Sequence, residues 1–85
     1  MFEVELTLDF KDPAISKIVF ESLSPEVANP PSRRVNTLIE HYPPKIFLYL
    51  SSYNPSLLRA ALNSFLRLIM LLEEIFKSLK SEALS

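Results

Sequence analysis

Few side chains in this sequence could do chemistry, and their spacing argues for recognition rather than catalysis. His41 is the single histidine, and there is no cysteine. Zinc takes three or four clustered ligands, and one histidine in an expected turn supplies too few. Glu73 and Glu74 are neighbours on an expected helix, where successive side chains point about 100° apart and cannot serve one reacting atom. Ser22, Ser24, Ser51, Ser52 and the other serines are expected to lack a nearby histidine to activate them. Arg33 and Arg34 open an expected strand after a proline-rich stretch. Guanidinium forks suit phosphate, so they are either a solvated strand edge or a contact to a nucleic-acid backbone. Arg59 and Arg67 fall on the polar ridge of a long expected helix, which they keep soluble. Phosphate-cradling loops need glycine for close backbone approach, and the chain has none. No catalytic, metal or cofactor site is expected.

The chain that must position these residues has 85 of them, enough for one domain over 1–85. A domain this size buries only about 60% of its unfolded surface. Without cysteine, disulfides and thiolate metal sites cannot stabilise it, which leaves association with other chains. Nine basic and ten acidic residues give a net charge of −1, without the basic excess of a dedicated nucleic-acid binder. No secretory leader is visible in the alternating N-terminus, and nothing argues for an oxidising compartment. Residues 57–76 approach the length of a membrane span, but Arg59, Asn63, Ser64, Arg67, Glu73 and Glu74 interrupt them and are costly in hydrocarbon. The expectation is a soluble cytoplasmic protein that involves no membrane.

Strict alternation over 2–10 puts Phe2, Val4, Leu6, Leu8 and Phe10 on one face of a half-buried strand. Asp12 as N-cap and Pro13 at the first helical position start a helix over about 12–23. Its inward face is Ile15, Ile18, Val19 and Ser22, while Phe20 falls off that stripe, nearer Leu23. Ser24 and Pro25 end or redirect it, and 25–32 form a proline-rich connection. Two further strands span 33–40 and 45–53, joined by the turn "HYPP" at 41–44. Asn54 and Pro55 repeat the capping device and open a helix to about residue 79, with 78–85 a frayed polar tail. The order β-α-β-β-α predicts an α+β two-layer sandwich, with a three-stranded antiparallel sheet and two helices on one face.

The last helix carries more apolar surface than one sheet can cover. Leu58, Ala61, Leu62, Phe65, Ile69, Leu72 and Phe76 make one stripe. Leu66 and Met70 form one shoulder; Leu68, Leu71 and Ile75 form the other. The first helix can cover one shoulder; the other is either free for a partner or curled, like the first, under the sheet and the first helix. The second face of the sheet raises the same question: Leu38, Phe47 and Tyr49 lie there among Glu3, Glu5 and Thr7, either packed across strands or available for self-association.

The chain resembles the Pcc-type small subunit (CTAG/Pcc family) of the KEOPS complex. The match runs through "DPAISKIVFESLSPE" at 12–26, "SRRVNTLIEHYPPKIFLYL" at 32–50 and "SLLRAALNSFLRLI" at 56–69. The last stretch is the most specific, with Leu58-Arg59-Ala60, Asn63-Ser64 and Leu66-Arg67. The resemblance implies the same element order and a subunit without chemistry of its own. Such a subunit dimerises, with itself or with a paralogue, and binds the catalytic subunit through its helices. It thereby supports threonylcarbamoyl transfer to adenosine in tRNA. On this reading Phe20, Arg59, Leu66, Arg67, Met70 and Leu71 form the partner surface and Leu38, Phe47 and Tyr49 the dimer surface. Arg33 and Arg34 would be tRNA contacts. The short N-terminus resembles archaeal members. Two positions differ from the family pattern: "HYPP" replaces a glycine-containing hairpin, and Asn54 replaces an acidic residue before the last helix. The competing expectation is a small KH-like RNA-binding module acting alone, for which the absent GxxG loop is a poor fit.

Overall fold

The computed structural model describes residues 1–29 and 33–84, with side chains described through Leu79. It contains β1 (Phe2–Asp9), α1 (Pro13–Ala28), β2 (Asn36–Tyr42), β3 (Lys45–Ser52) and α2 (Pro55–Leu84). The strands form one antiparallel sheet in the order β1-β3-β2. This is the expected α+β sandwich. The expectation of a frayed tail falls largely on side chains 80–84 and on Ser85, which lie outside the described residues. The helical backbone itself runs to Leu84, past the expected stop near residue 79.

Register explains which face is buried. Val4, Leu6 and Leu8 stand opposite Leu50, Leu48 and Ile46, and Thr37, Ile39 and His41 flank the same three from the other side. Ile46, Leu48 and Leu50 are completely buried at the centre. Over them pack Val19 and Leu23 of α1 and Leu58, Ala61, Phe65 and Ile69 of α2. α1 lies mainly over β2, and α2 over β3 and β1.

Both helix starts follow the expected capping chemistry. Asp12 Oδ1 accepts from the Ala14 amide at 2.8 Å. Asn54 Oδ1 accepts from the Ser56 and Leu57 amides at 2.9 and 3.1 Å. Each satisfies amides that a helix end leaves without partners. The turn from β1 into α1 puts Lys11 at φ 61°, a left-handed conformation that disfavours a residue with a Cβ. The Lys11 amide donates to Asp9 Oδ1 at 2.9 Å and helps hold it. Pro43 and Pro44, joined by a cis peptide bond, connect β2 to β3.

Four expectations are corrected. α1 does not stop at Ser24–Pro25 but continues through Pro25 to Ala28. Pro25 cannot donate to the carbonyl four residues back, but it is exposed, so that carbonyl can meet water. Leu23 and Val27 pack on the core from either side of it, and their burial outweighs the lost bond. The inward face of α1 is Ser16, Val19 and Leu23; Ile18 is 46% exposed. β2 begins at Asn36 rather than residue 33, so Arg33 and Arg34 sit in the preceding turn. His41 lies within β2, not in a turn.

Candidate functional site

α2 has 30 residues, about 45 Å at 1.5 Å per residue. β3 has eight, or about 27 Å. The helix therefore outruns the sheet that covers it. Its buried residues end at Ile69; beyond it Leu72 and Phe76 are half-buried against the core. Met70 is 60% exposed and Leu71 53%, and Ile75 and Leu79 are also exposed.

These uncovered residues occupy two flanks. Leu66, half-buried, and Met70 lie on one, with exposed Arg59 beside them. Leu71 lies on the other, in the series Ala61, Ser64, Leu68, Leu71, Ile75, Leu79, whose steps of three and four keep them on one side of the helix. Exposed Arg67 stands between the flanks. The second flank begins in a groove of about 250 Å³ lined by Glu26, Ala61, Ser64, Phe65 and Leu68, between the end of α1 and the first half of α2. The sequence-derived surface residues of α2 are thus divided between two sides. The groove continues the Leu71 side.

Phe20 belongs to neither flank. It is half-buried and stacks on His41, with ring centroids 5.0 Å apart and planes 16° apart. His41 Nε2 lies 2.8 Å from Ser16 Oγ, which corrects the expectation that no serine has a histidine beside it. Ser16 is completely buried, and its hydroxyl donates to the Pro13 carbonyl at 2.9 Å. That uses its one proton, so the Nε2–H of His41 donates to Oγ. A buried, committed hydroxyl cannot reach a substrate. The pair ties α1 to β2. Sequence spacing gave little sign of it, because the partners are 25 residues apart.

The outer face of the sheet presents Glu5, Tyr49 and Leu38 in one row and Thr7, Phe47 and Glu40 in the next. Phe47 and Tyr49 are half-buried, and Leu38 is 49% exposed. Tyr49 donates to Glu3 Oε1 at 2.9 Å, and Tyr42 donates to Glu40 Oε2. Both phenols are held above their ordinary pKa of 10.0, chiefly because each donates its proton to a carboxylate. Glu3, Glu5, Asp9 and Glu40 ring this apolar centre, with Lys45 the one cation among the paired strand residues of the face.

Arg33 and Arg34 line a third feature, a pocket of about 410 Å³ completed by Asn36, Ser52, Tyr53 and Asn54. Among the described residues no three metal-ligating side chains come together.

Two uncovered helix flanks and an outer sheet face with an apolar centre are the main apolar surfaces of the described residues. Residues 3–77 match the family described as transcription factor Pcc1. The chain belongs to the Pcc1 family. No curated protein matches it. Pcc1 membership makes it a KEOPS-associated subunit, one component of a complex with other chains. The match begins in β1 and ends one residue past Phe76 of α2, so it includes the outer sheet face and both flanks except Leu79.

Proposed function

We propose that this Pcc1-family chain is a non-catalytic scaffold of KEOPS. It binds the catalytic subunit through α2 and the end of α1. It pairs with a second copy or a paralogue through the outer sheet face, and reaches tRNA through the complex to support threonylcarbamoyladenosine formation. The observation that carries the reading is the uncovered apolar flank running from the α1–α2 groove to Leu79. A helix laid into that groove would meet anchors at steps of three and four. Burying a Leu, Ile or Met side chain is worth roughly 1.5–3 kcal/mol. Because Leu71, Ile75 and Leu79 are already about half covered, roughly 1 kcal/mol each remains to be gained on this flank.

Co-expression with the catalytic KEOPS subunit tests this. Leu71→Glu with Ile75→Glu should abolish capture while leaving the fold intact. Leu66→Glu with Met70→Glu reports on the opposite flank. Capture that survives both pairs of changes would remove α2 as the binding surface.

For the sheet face, Phe47→Ser with Tyr49→Ser should convert a dimer to monomers, and a persisting dimer would place that contact elsewhere. The acidic ring makes the type of partner readable. Identical copies would bring like charges together, so their dimer tightens as salt screens them. A paralogue offering basic residues would bind more weakly as salt rises.

The cytoplasm is the setting this reading requires. Over Pro55–Leu79, α2 has the length and hydropathy, 1.3, of a membrane span. We give it no such role, because Leu58, Phe65 and Ile69 cannot both seal the sheet and face lipid. Arg59, Arg67, Glu73 and Glu74 would also enter hydrocarbon.

A further inference from the structure

The pocket at the Asn36–Ser52 end of the sheet is separate from the helix flanks and lies beyond Leu38 at the end of the outer sheet face. Two chain segments meet there. Arg33, Arg34 and Asn36 come from the entry to β2, and Ser52, Tyr53 and Asn54 from the exit of β3 toward α2. Ser52 is almost completely buried. Its Oγ donates to the Arg34 carbonyl at 2.8 Å and accepts from the Asn54 amide at 3.1 Å. One buried hydroxyl therefore fastens both segments and holds the arginine turn and Tyr53 around one space. The amides at the start of α2 add little, since Asn54 Oδ1 already occupies those of Ser56 and Leu57.

The lining is chemically selective. It offers the Arg33 guanidinium, the Asn36 amide and a phenol ring, with Arg34 beside them and no carboxylate among the described lining residues, in a chain that is net acidic. Tyr53 is 79% exposed, the most uncovered large hydrophobic side chain among the described residues. An exposed tyrosine beside arginines gives a planar ring something to stack on, while guanidinium forks match phosphate oxygens. A volume of about 410 Å³ falls within the range of pockets that hold small organic ligands, about 300–1,000 Å³.

We propose that this pocket binds a nucleotide unit, with the phosphate on Arg33 and the Arg34 side of the pocket and the base stacked on Tyr53. The unit is either a free nucleotide or one residue of a single-stranded RNA. An acidic peptide would use the arginines but leave the tyrosine without a role. The proposal rests on the pocket and not on the helix flanks, so the two can fail separately.

The test titrates the full chain into a fluorescein-labelled short oligoadenylate, followed by anisotropy across a range of salt concentrations, with AMP as competitor. Saturable binding is expected. Tyr53→Ala should weaken it roughly 5- to 100-fold, the range for losing one base–aromatic stack, and Tyr53→Phe should retain it. Arg33→Gln should lower the slope of log K against log salt by about 0.7, the single-strand value for one phosphate contact. Displacement by AMP supports a free-nucleotide site. Strand binding that AMP does not displace, with the same variant effects, supports an RNA site. Both side chains are exposed, so unfolding midpoints should stay unchanged. Leu71→Glu with Ile75→Glu should leave the titration unaltered even where it abolishes subunit capture. Absence of saturable binding, or equal affinity and slope in the wild type, Tyr53→Ala and Arg33→Gln, overturns the proposal.

Discussion

The two halves of α2 are built from the same residue types and meet different fates. From Leu58 to Ile69 its apolar stripe closes on Ile46, Leu48 and Leu50, and four of its side chains are buried. From Met70 to Leu79 the helix continues with equally apolar residues and buries none of them completely. What differs is what lies beneath. The sheet ends, and the helix does not. The two faces of the sheet repeat the contrast: the inner face is sealed by helices, while the outer has Leu38, Phe47 and Tyr49 within a ring of carboxylates. Hydrophobic pattern sets which residues seek cover, and element length sets which of them find it within the chain.

One residue type placed in each half gives the largest expected effect. Leu58→Ala should cost about 2–5 kcal/mol, the usual price of removing a buried leucine. Leu71→Ala should change stability by no more than about 0.5 kcal/mol. Urea unfolding of the two variants measures both, and comparable losses would erase the distinction between the halves.

The polar pairs on the two sheet faces sharpen it further. His41→Ala removes a hydrogen bond to a fully buried serine and the stack on Phe20. It should cost about 1–3 kcal/mol by the same measurement. His41→Phe keeps the stack and should cost less. On the outer face the pairs are exposed, and the expected effect is smaller. Tyr42 and Tyr49 have raised pKa values in the folded chain. Their contribution is fully present below the ordinary tyrosine pKa and is lost as pH rises through the raised values. Absorbance at 295 nm should show both phenols ionising above pH 10.0, and Tyr49→Phe should remove one of the late steps. Titration at the ordinary value would mean that the carboxylate bonds are absent in solution.

How much of this was legible in the sequence follows from how local each signal is. Alternation over 2–10, the Asp12-Pro13 and Asn54-Pro55 starts and the Leu58–Phe76 stripe each depend on a few neighbouring residues, and each reappears in the fold. The Pro25 stop did not, because a local rule met a tertiary reward: Val27 packs on the core beyond the proline. The Ser16–His41 bond and the Arg33–Tyr53 pocket depend on strand register, which brings distant segments together and leaves no spacing to count. The excess apolar surface of α2 was readable from composition and periodicity. Which flank continues into a groove was not, because that depends on where α1 ends.

The central claim is that the second half of α2 is covered by another chain. Hydrogen–deuterium exchange over residues 70–79, in the isolated chain and then with the catalytic KEOPS subunit, tests it most directly. The account predicts that these amides exchange faster than those of 58–69 in the free chain and become strongly protected in the complex. A stable complex that leaves their exchange unchanged, or a free chain in which both halves are equally protected, would contradict it.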